Sequence, residues 1–237
     1  MNGGYIDSDA LTYVIYRLGD EEQMLSRNAK GTSFTDEGLD GSRMQYYVGY
    51  EVVPVSIAGA GEYGLTEMIV FGDPYQGEMT ESFADRSVSS NPWLMYRIKG
   101  NDNLWTVASQ GTDPTCSPAD LDGGLAVFQS TMGRPGDEGR LVSPKLSVSS
   151  LKSPVLSFYV FLNASDEALY GDELYQDRLI PEVILPDGTV QALGEAILVD
   201  NFEGRGWLKF SYDLSHLKDL DHFNLSFHGI SDYGQDI

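Results

Sequence analysis

The chain has 237 residues, 41% of them hydrophobic, and a formal net charge of −21 at pH 7. That length suffices for one large or two ordinary domains with their own cores, and the apolar fraction excludes disorder as the default state. The charge argues against a nucleic-acid partner or an anionic membrane surface, because no basic stripe exists to meet phosphates; an acidic surface favours solubility and can supply carboxylate oxygens to calcium.

From the N-terminus, "NGGYIDSDALTYVIYR" alternates after a Gly-Gly turn, with Leu11, Tyr13 and Ile15 on one strand face and Thr12, Val14 and Tyr16 on the other. Polar turns then lead to Met24 and Leu25 and to "TSFTD", and "SRMQYYVGYEVVPVSIAGAGEYGLTEMIVFG" predicts two long strands around a glycine-rich hairpin. This is about five strands without a helix, too few for a closed sandwich. No apolar stretch approaches the roughly 18 residues of a membrane span; the longest clear run is Val155 to Leu162.

"GGYIDSDALTYVIYR", "GTSFTDEGL" and "YYVGYEVVPVSIAGAGE" resemble the middle and C-terminal strands of a fibronectin type III domain, over about residues 5 to 72. Such domains carry two earlier strands and a core tryptophan. The resemblance therefore implies a partial module, with a natural start, and a secretion signal, upstream of Met1.

"GDPYQGEMTESFAD" marks a seam, with Gly72, Pro74 and Gly77 punctuating the change of pattern. It divides the chain into segments 1–73 and 74–237. Beyond it, "PWLMYRI", "NLWTVAS", "GLAVFQS", "GRLVSP", "SPVLSFYVFL", "RLIPEVIL", "TVQALG", "GWLKFSYDL" and "HFNLSFHGI" read as short strands of a sandwich or jelly roll. In "ILPDGTV", Asp187-Gly188 supplies the positive φ of a tight hairpin turn.

"GRLVSP" raises the question of a reactive serine. Alternation sends Arg140 and Val142 to one face and Leu141 and Ser143 to the other, and Pro144 lacks the N–H that a ladder needs. Neither a nucleophile elbow nor an S-x-x-K context surrounds Ser143, so the segment reads as a strand end. Cys116 is the only cysteine, which rules out an intrachain disulfide and leaves a free thiol. His216, His222 and His228 fall on both sides of a turn, no H-E-x-x-H motif occurs, and the pairs Asp137/Glu138 and Asp172/Glu173 lie in polar, turn-like stretches.

"ESFAD" (81–85), "NDNLW" (101–105), "GRLVSPKLSVSSLKSPVLSFYVFL" from 139, "GWLKFSYDLS" from 206 and the closing "FHGISDYGQDI" resemble, in order, the MAM domain and its bacterial jelly-roll relatives, including cleaved-adhesin modules of surface proteases. The resemblance covers roughly 78–237 and implies an extracellular jelly roll that adheres or binds a ligand and does no catalysis. Two departures stand out. Ala84 occupies the position where the family has an acidic residue after its phenylalanine, and the chain stops at Asp236-Ile237, where the family continues into a further strand. By analogy with the family, Asp85, Asp102 and Asp236 are the candidate ligands of a structural Ca2+ ion; no self-contained calcium loop is present, so they would have to converge in space.

Aromatic faces that stack on sugar rings are the second expectation. Trp105 and Trp207 fall in the family-like motifs and read as buried, whereas Trp93 and Tyr96, in "SSNPWLMYRIKG", read as the exposed ligand-binding pair. The sequence thus predicts an all-β chain: a partial immunoglobulin-like (fibronectin type III) sandwich followed by a jelly-roll sandwich, from a secreted or surface-attached bacterial protein. Its expected role is non-enzymatic recognition of a glycan or an extracellular protein, with an accessory carbohydrate-binding module of a glycoside hydrolase or protease as the runner-up.

Overall fold

The computed structural model describes residues 10–19, 21–42, 45–84, 92–100, 104–112, 114–120, 123–162, 168–170, 173–175, 177–198 and 206–232. The chain is all-β and divides into two compact units, Met1–Asp73 and Pro74–Ile237. Among the described residues no helix is long and apolar enough to cross a membrane.

Unit 1 contains β1 (Thr12–Leu18), β2 (Gln23–Ala29), β3 (Tyr46–Ser56), β4 (Gly59–Ala60), β5 (Gly64–Leu65) and β6 (Ile69–Phe71). They form an antiparallel sheet in which β3 pairs with β1 along one edge, while β4, β5 and β6 follow in turn in nearly constant register. The return from the glycine-rich hairpin is therefore three short pieces where the sequence suggested one long strand. Ile15, Val48 and Val70 are its buried apolar side chains among the described residues. "TSFTD" is no strand. It carries Asp36, whose Oδ2 lies 3.0 Å from Arg17 Nη1 and accepts a 3.1 Å hydrogen bond from the Tyr50 hydroxyl, so the carboxylate links β1 to β3.

Unit 2 runs β7 (Tyr75–Gln76), β8 (Leu94–Lys99), β9 (Trp105–Ala108), β10 (Gly111–Thr112), β11 (Thr115–Cys116), β12 (Leu125–Phe128), β13 (Glu138–Ser147), β14 (Val155–Leu162), β15 (Ala168–Tyr170), β16 (Glu173–Tyr175), β17 (Arg178–Ile184), β18 (Val190–Ala192), β19 (Gly206–Asp213) and β20 (Phe223–Ile230). The main sheet has the order β18-β17-β20-β13, with β7 and β8 on the far edge of β13. A second layer holds the pairs β14–β19 and β9–β12. The pairing of β13 with β20 and of β14 with β19 is nested, as in a ribbon wound on itself, which is the jelly-roll pattern.

Period-2 alternation decides what meets between the layers. Leu141, Leu179 and Phe227 of the main sheet pack with Val160 and Leu162 of β14 and with Trp105 and Phe128 of β9–β12. A second cluster gathers Leu146, Val183, Leu214, Leu217 and Phe223. Phe128 and Phe223 are completely buried, and each stabilises the unit by about 2–3 kcal/mol relative to exposure.

Two local expectations need correction. At "ILPDGTV" only Gly188 takes a positive φ, of 83°, and the Leu185 N–H bonds the Thr189 carbonyl, which makes a longer, glycine-bulged hairpin instead of a two-residue turn. At "GRLVSP" the strand does not end. β13 continues through a bulge between Val142 and Lys145 and runs on to Ser147. There the Leu225 N–H donates to Ser143 Oγ at 2.8 Å and Asn224 Nδ2 donates to the Ser143 carbonyl at 2.7 Å, so the serine hydroxyl takes the place of a ladder acceptor. Ser143 is 0% exposed and its role is architectural.

Candidate functional site

The two pairs of the second layer do not join among the described residues: β14 pairs only with β19, and β12 only with β9. Between them opens a cavity of about 480 Å³, within the range of small-ligand sites. Residues 156–161 of β14 all line it, regardless of which face they point to, so the strand edge itself forms the wall. Residues 125–127 of β12 border it in the same way. Leu141, Leu179, Leu225 and Phe227 of the main sheet form its floor.

A knot of three residues closes one side. Phe83 has φ 52°, in the left-handed region that a bulky side chain rarely enters. Glu81 holds it there: Oε1 accepts the Phe83 N–H at 2.7 Å, while Oε2 accepts the Trp93 indole N–H at 3.1 Å. The Phe83 and Trp93 rings lie 5.3 Å apart, and Trp93 stacks on Phe227 at 6.3 Å. The Gly124 N–H, just before β12, bonds the Ser82 carbonyl at 2.7 Å, which stitches this turn to the layer.

The rim is aromatic as well. On the outward face of β14–β19, Phe161 is paired with Trp207, their rings edge-to-face at 5.4 Å, and Tyr159, opposite Lys209, is 53% exposed. The Trp207 Nε1–H donates to the Ser117 carbonyl at 2.8 Å and ties the loop after β11 to the rim. Exposed Asp120, three residues further on, reaches the mouth of the cavity.

The residues expected to bind ligand do not share one surface. Trp93 is 6% exposed and belongs to the core cluster, contrary to the exposure expected of it, whereas Tyr96 is 39% exposed. A separation of three along a strand sends two side chains to opposite faces. Met95, opposite Leu141, shares the core side with Trp93, and Tyr96, opposite Arg140, lies on the outer side. Trp105 is buried and Trp207 only half-buried. Asp85, Asp102 and Asp236 lie outside the described residues, and among those described no group of three His, Cys, Asp or Glu is placed to hold a metal ion.

A second polar constellation, which spacing alone does not reveal, occupies the outer face of the main sheet. Buried His228 sits between two carboxylates, with Nδ1 3.2 Å from Glu182 Oε1 and Nε2 3.0 Å from Glu138 Oε2. Arg140 Nε donates to Glu182 Oε2 at 2.9 Å, and Ser226 Oγ donates to the same oxygen at 3.2 Å. These residues come from β13, β17 and β20 and meet only through strand register. Burial pushes the Glu182 carboxyl up, but the hydrogen bonds from His228 and Arg140 outweigh it and hold the group below its ordinary value. Glu138, read in the sequence as part of a turn, begins β13. Burial also raises the Cys116 thiol above its ordinary value, which lowers its thiolate fraction.

No family model matches the chain, and no curated protein matches it. It is similar to a solved structure concerned with the promiscuous specificity of carbohydrate-binding modules of the β-sandwich superfamily, with 11% identity and a TM-score of 0.36 over 96% of this chain and 81% of that one. A likeness at that level assigns nothing to this chain, whose architecture rests on its own strand pairing.

Proposed function

We propose that unit 2 is a non-enzymatic recognition module of a secreted or surface-attached protein and that its ligand is a glycan held in the cavity between β12 and β14. The observation that carries this reading is the composition of that cavity: aromatic rings at floor and rim with few polar groups, among them the Glu81 and Asp120 carboxylates. Sugar rings present apolar C–H faces and a girdle of hydroxyls, and such a lining offers stacking surfaces to the first and acceptors to the second. The buried, hydrogen-bonded Ser143 supports a binding role over a hydrolytic one at that position. A protein ligand is the second reading, and it is favoured by exposed Tyr63, Leu65 and Ile69 in unit 1.

The test is a glycan array probed with the full chain, in calcium and again in chelator, because a structural Ca2+ ion at Asp85, Asp102 and Asp236 belongs to the same proposal. Tyr159→Ala and Trp207→Ala are expected to lower binding at least tenfold while the circular dichroism stays native. Undiminished binding by both variants would move the site elsewhere. A silent array from folded protein would transfer the weight to the protein partner.

A further inference from the structure

We infer, on the basis of the glycan reading above, that the cavity selects its ligand by charge: it admits neutral and amine-bearing sugars and rejects those carrying carboxylate or sulfate groups. Among the described lining residues there are two carboxylates, Glu81 and Asp120, and no lysine, arginine or histidine. Each Glu81 oxygen accepts one protein N–H, from Phe83 or from Trp93. A carboxylate oxygen has two lone pairs, so both oxygens keep acceptor capacity for a ligand O–H or N–H. An ammonium group would add charge to that bond. An anionic sugar, by contrast, would lose water beside a fixed like charge and gain no cation from the described lining in exchange.

The arrangement around Glu81 makes this a property of the cavity and not of loose surface charge. Its side chain is half-buried and held at both oxygens, and it cannot swing away from an incoming anion without releasing Phe83 from its left-handed conformation. Among the described residues, strand register places Lys209 at the rim, opposite Tyr159 on the outward face and outside the lining. The net charge of −21 repels anions in the same sense, but salt at about 0.15 M screens that field beyond ~8 Å while leaving a contact inside a cavity largely intact.

The experiment is a glycan array at about 0.15 M salt, probed with the full chain as wild type, Glu81→Gln and Asp120→Asn, its spots sorted into neutral, amine-bearing and carboxylate- or sulfate-bearing glycans, with hits titrated by calorimetry. The wild type is expected to bind neutral or amine-bearing glycans at least tenfold more tightly than their acidic counterparts. Glu81→Gln is expected to narrow that gap at least threefold. Asp120→Asn, at an exposed position, makes the same comparison if Glu81→Gln melts early. Acidic glycans bound as tightly as neutral ones by the wild type, or a gap unchanged in both folded variants, overturn the charge selection and leave the glycan reading standing. Binding to no glycan of any class overturns both.

Discussion

The Trp93 indole N–H donates to the Glu81 carboxylate at 3.1 Å while its ring stacks on Phe227, so this side chain belongs to both the core and the wall of the cavity. Trp93→Ala is expected to cost about 3–5 kcal/mol of unfolding free energy. Tyr96→Ala, three residues away on the opposite face, should cost within about 1 kcal/mol. Denaturant melts of the two variants decide the matter, and equal losses would contradict the burial difference.

The Glu182 carboxyl titrates below its ordinary value of 4.5. A lowered folded-state value contributes stability that is fully present above the unfolded value and is lost as the pH falls through the folded one. Glu182→Gln should therefore be less stable than the wild type at pH 7 by about 2 kcal/mol, with the gap closing as the medium is acidified below the ordinary carboxylate range. Urea melts across pH 2.5–7 test this; a gap of constant size would show that the ion pair with Arg140 is not its source.

Ser143 is expected to be inert toward fluorophosphonate probes because it is 0% exposed. Ser143→Ala leaves the Leu225 N–H without its acceptor in a buried strand, at a cost of about 1–3 kcal/mol. Labelling of the folded protein at this residue, read by peptide mass spectrometry, would reopen an enzymatic role.

A Cβ at Gly124 would lie 2.1 Å from the Phe83 carbonyl oxygen and 2.9 Å from that of Ala108. Both neighbours are backbone and cannot turn aside, so Gly124→Ala should destabilise unit 2 by about 1–3 kcal/mol and weaken ligand binding by displacing the Glu81–Phe83 turn. Native melting and native binding together would show that the turn tolerates displacement.

Burial raises the Tyr47 hydroxyl to about 12. A raised folded-state value means stability that is present below the unfolded value and lost as the pH climbs through the folded one. Unit 1 is accordingly expected to loosen between pH 10 and about 12, and Tyr47→Phe should remove part of that alkaline loss. Phenolate absorbance followed against pH provides the readout, and unchanged titration in the variant would assign the transition to another tyrosine.

Much of the strand content is legible in the sequence because a strand buried on one face records it as alternation: β9, β12, β14, β17, β19 and β20 fall within stretches that read as strands, while β8 and β13 overlap such stretches and run past them. What alternation leaves out is which face is inside. "PWLMYRI" offers two large aromatics three apart, and composition alone cannot say that Trp93 turns to Phe227 while Tyr96 turns outward. The cavity is equally invisible in the sequence, since its wall is an edge of β14 that has no strand partner among the described residues, and an edge is a property of pairing. The Arg140–Glu182–His228 contact joins residues up to 88 positions apart through register. One signal for the rim does lie in the sequence: "GWLKFSYDL" places Trp207, Lys209 and Ser211 on one face, a polar partnership unlike that of a core strand.

The bulge in β13 has a consequence for how this sheet finds a single alignment. Among the described residues the strand pairs toward β8 as far as Val142, and toward β7 it resumes at Leu146, so Pro144 stands in the gap between the two on that edge; toward β20 it stands at the bulge itself. A proline that can donate nothing is thus set at the position where neither neighbour asks for a donor. Sliding β13 by two residues would preserve every inward-facing side chain yet bring Pro144 against a strand that needs its N–H. The proline and the Ser143 hydroxyl together act as a key cut for one register, and they exclude slipped pairings that hydrophobic pattern alone would allow.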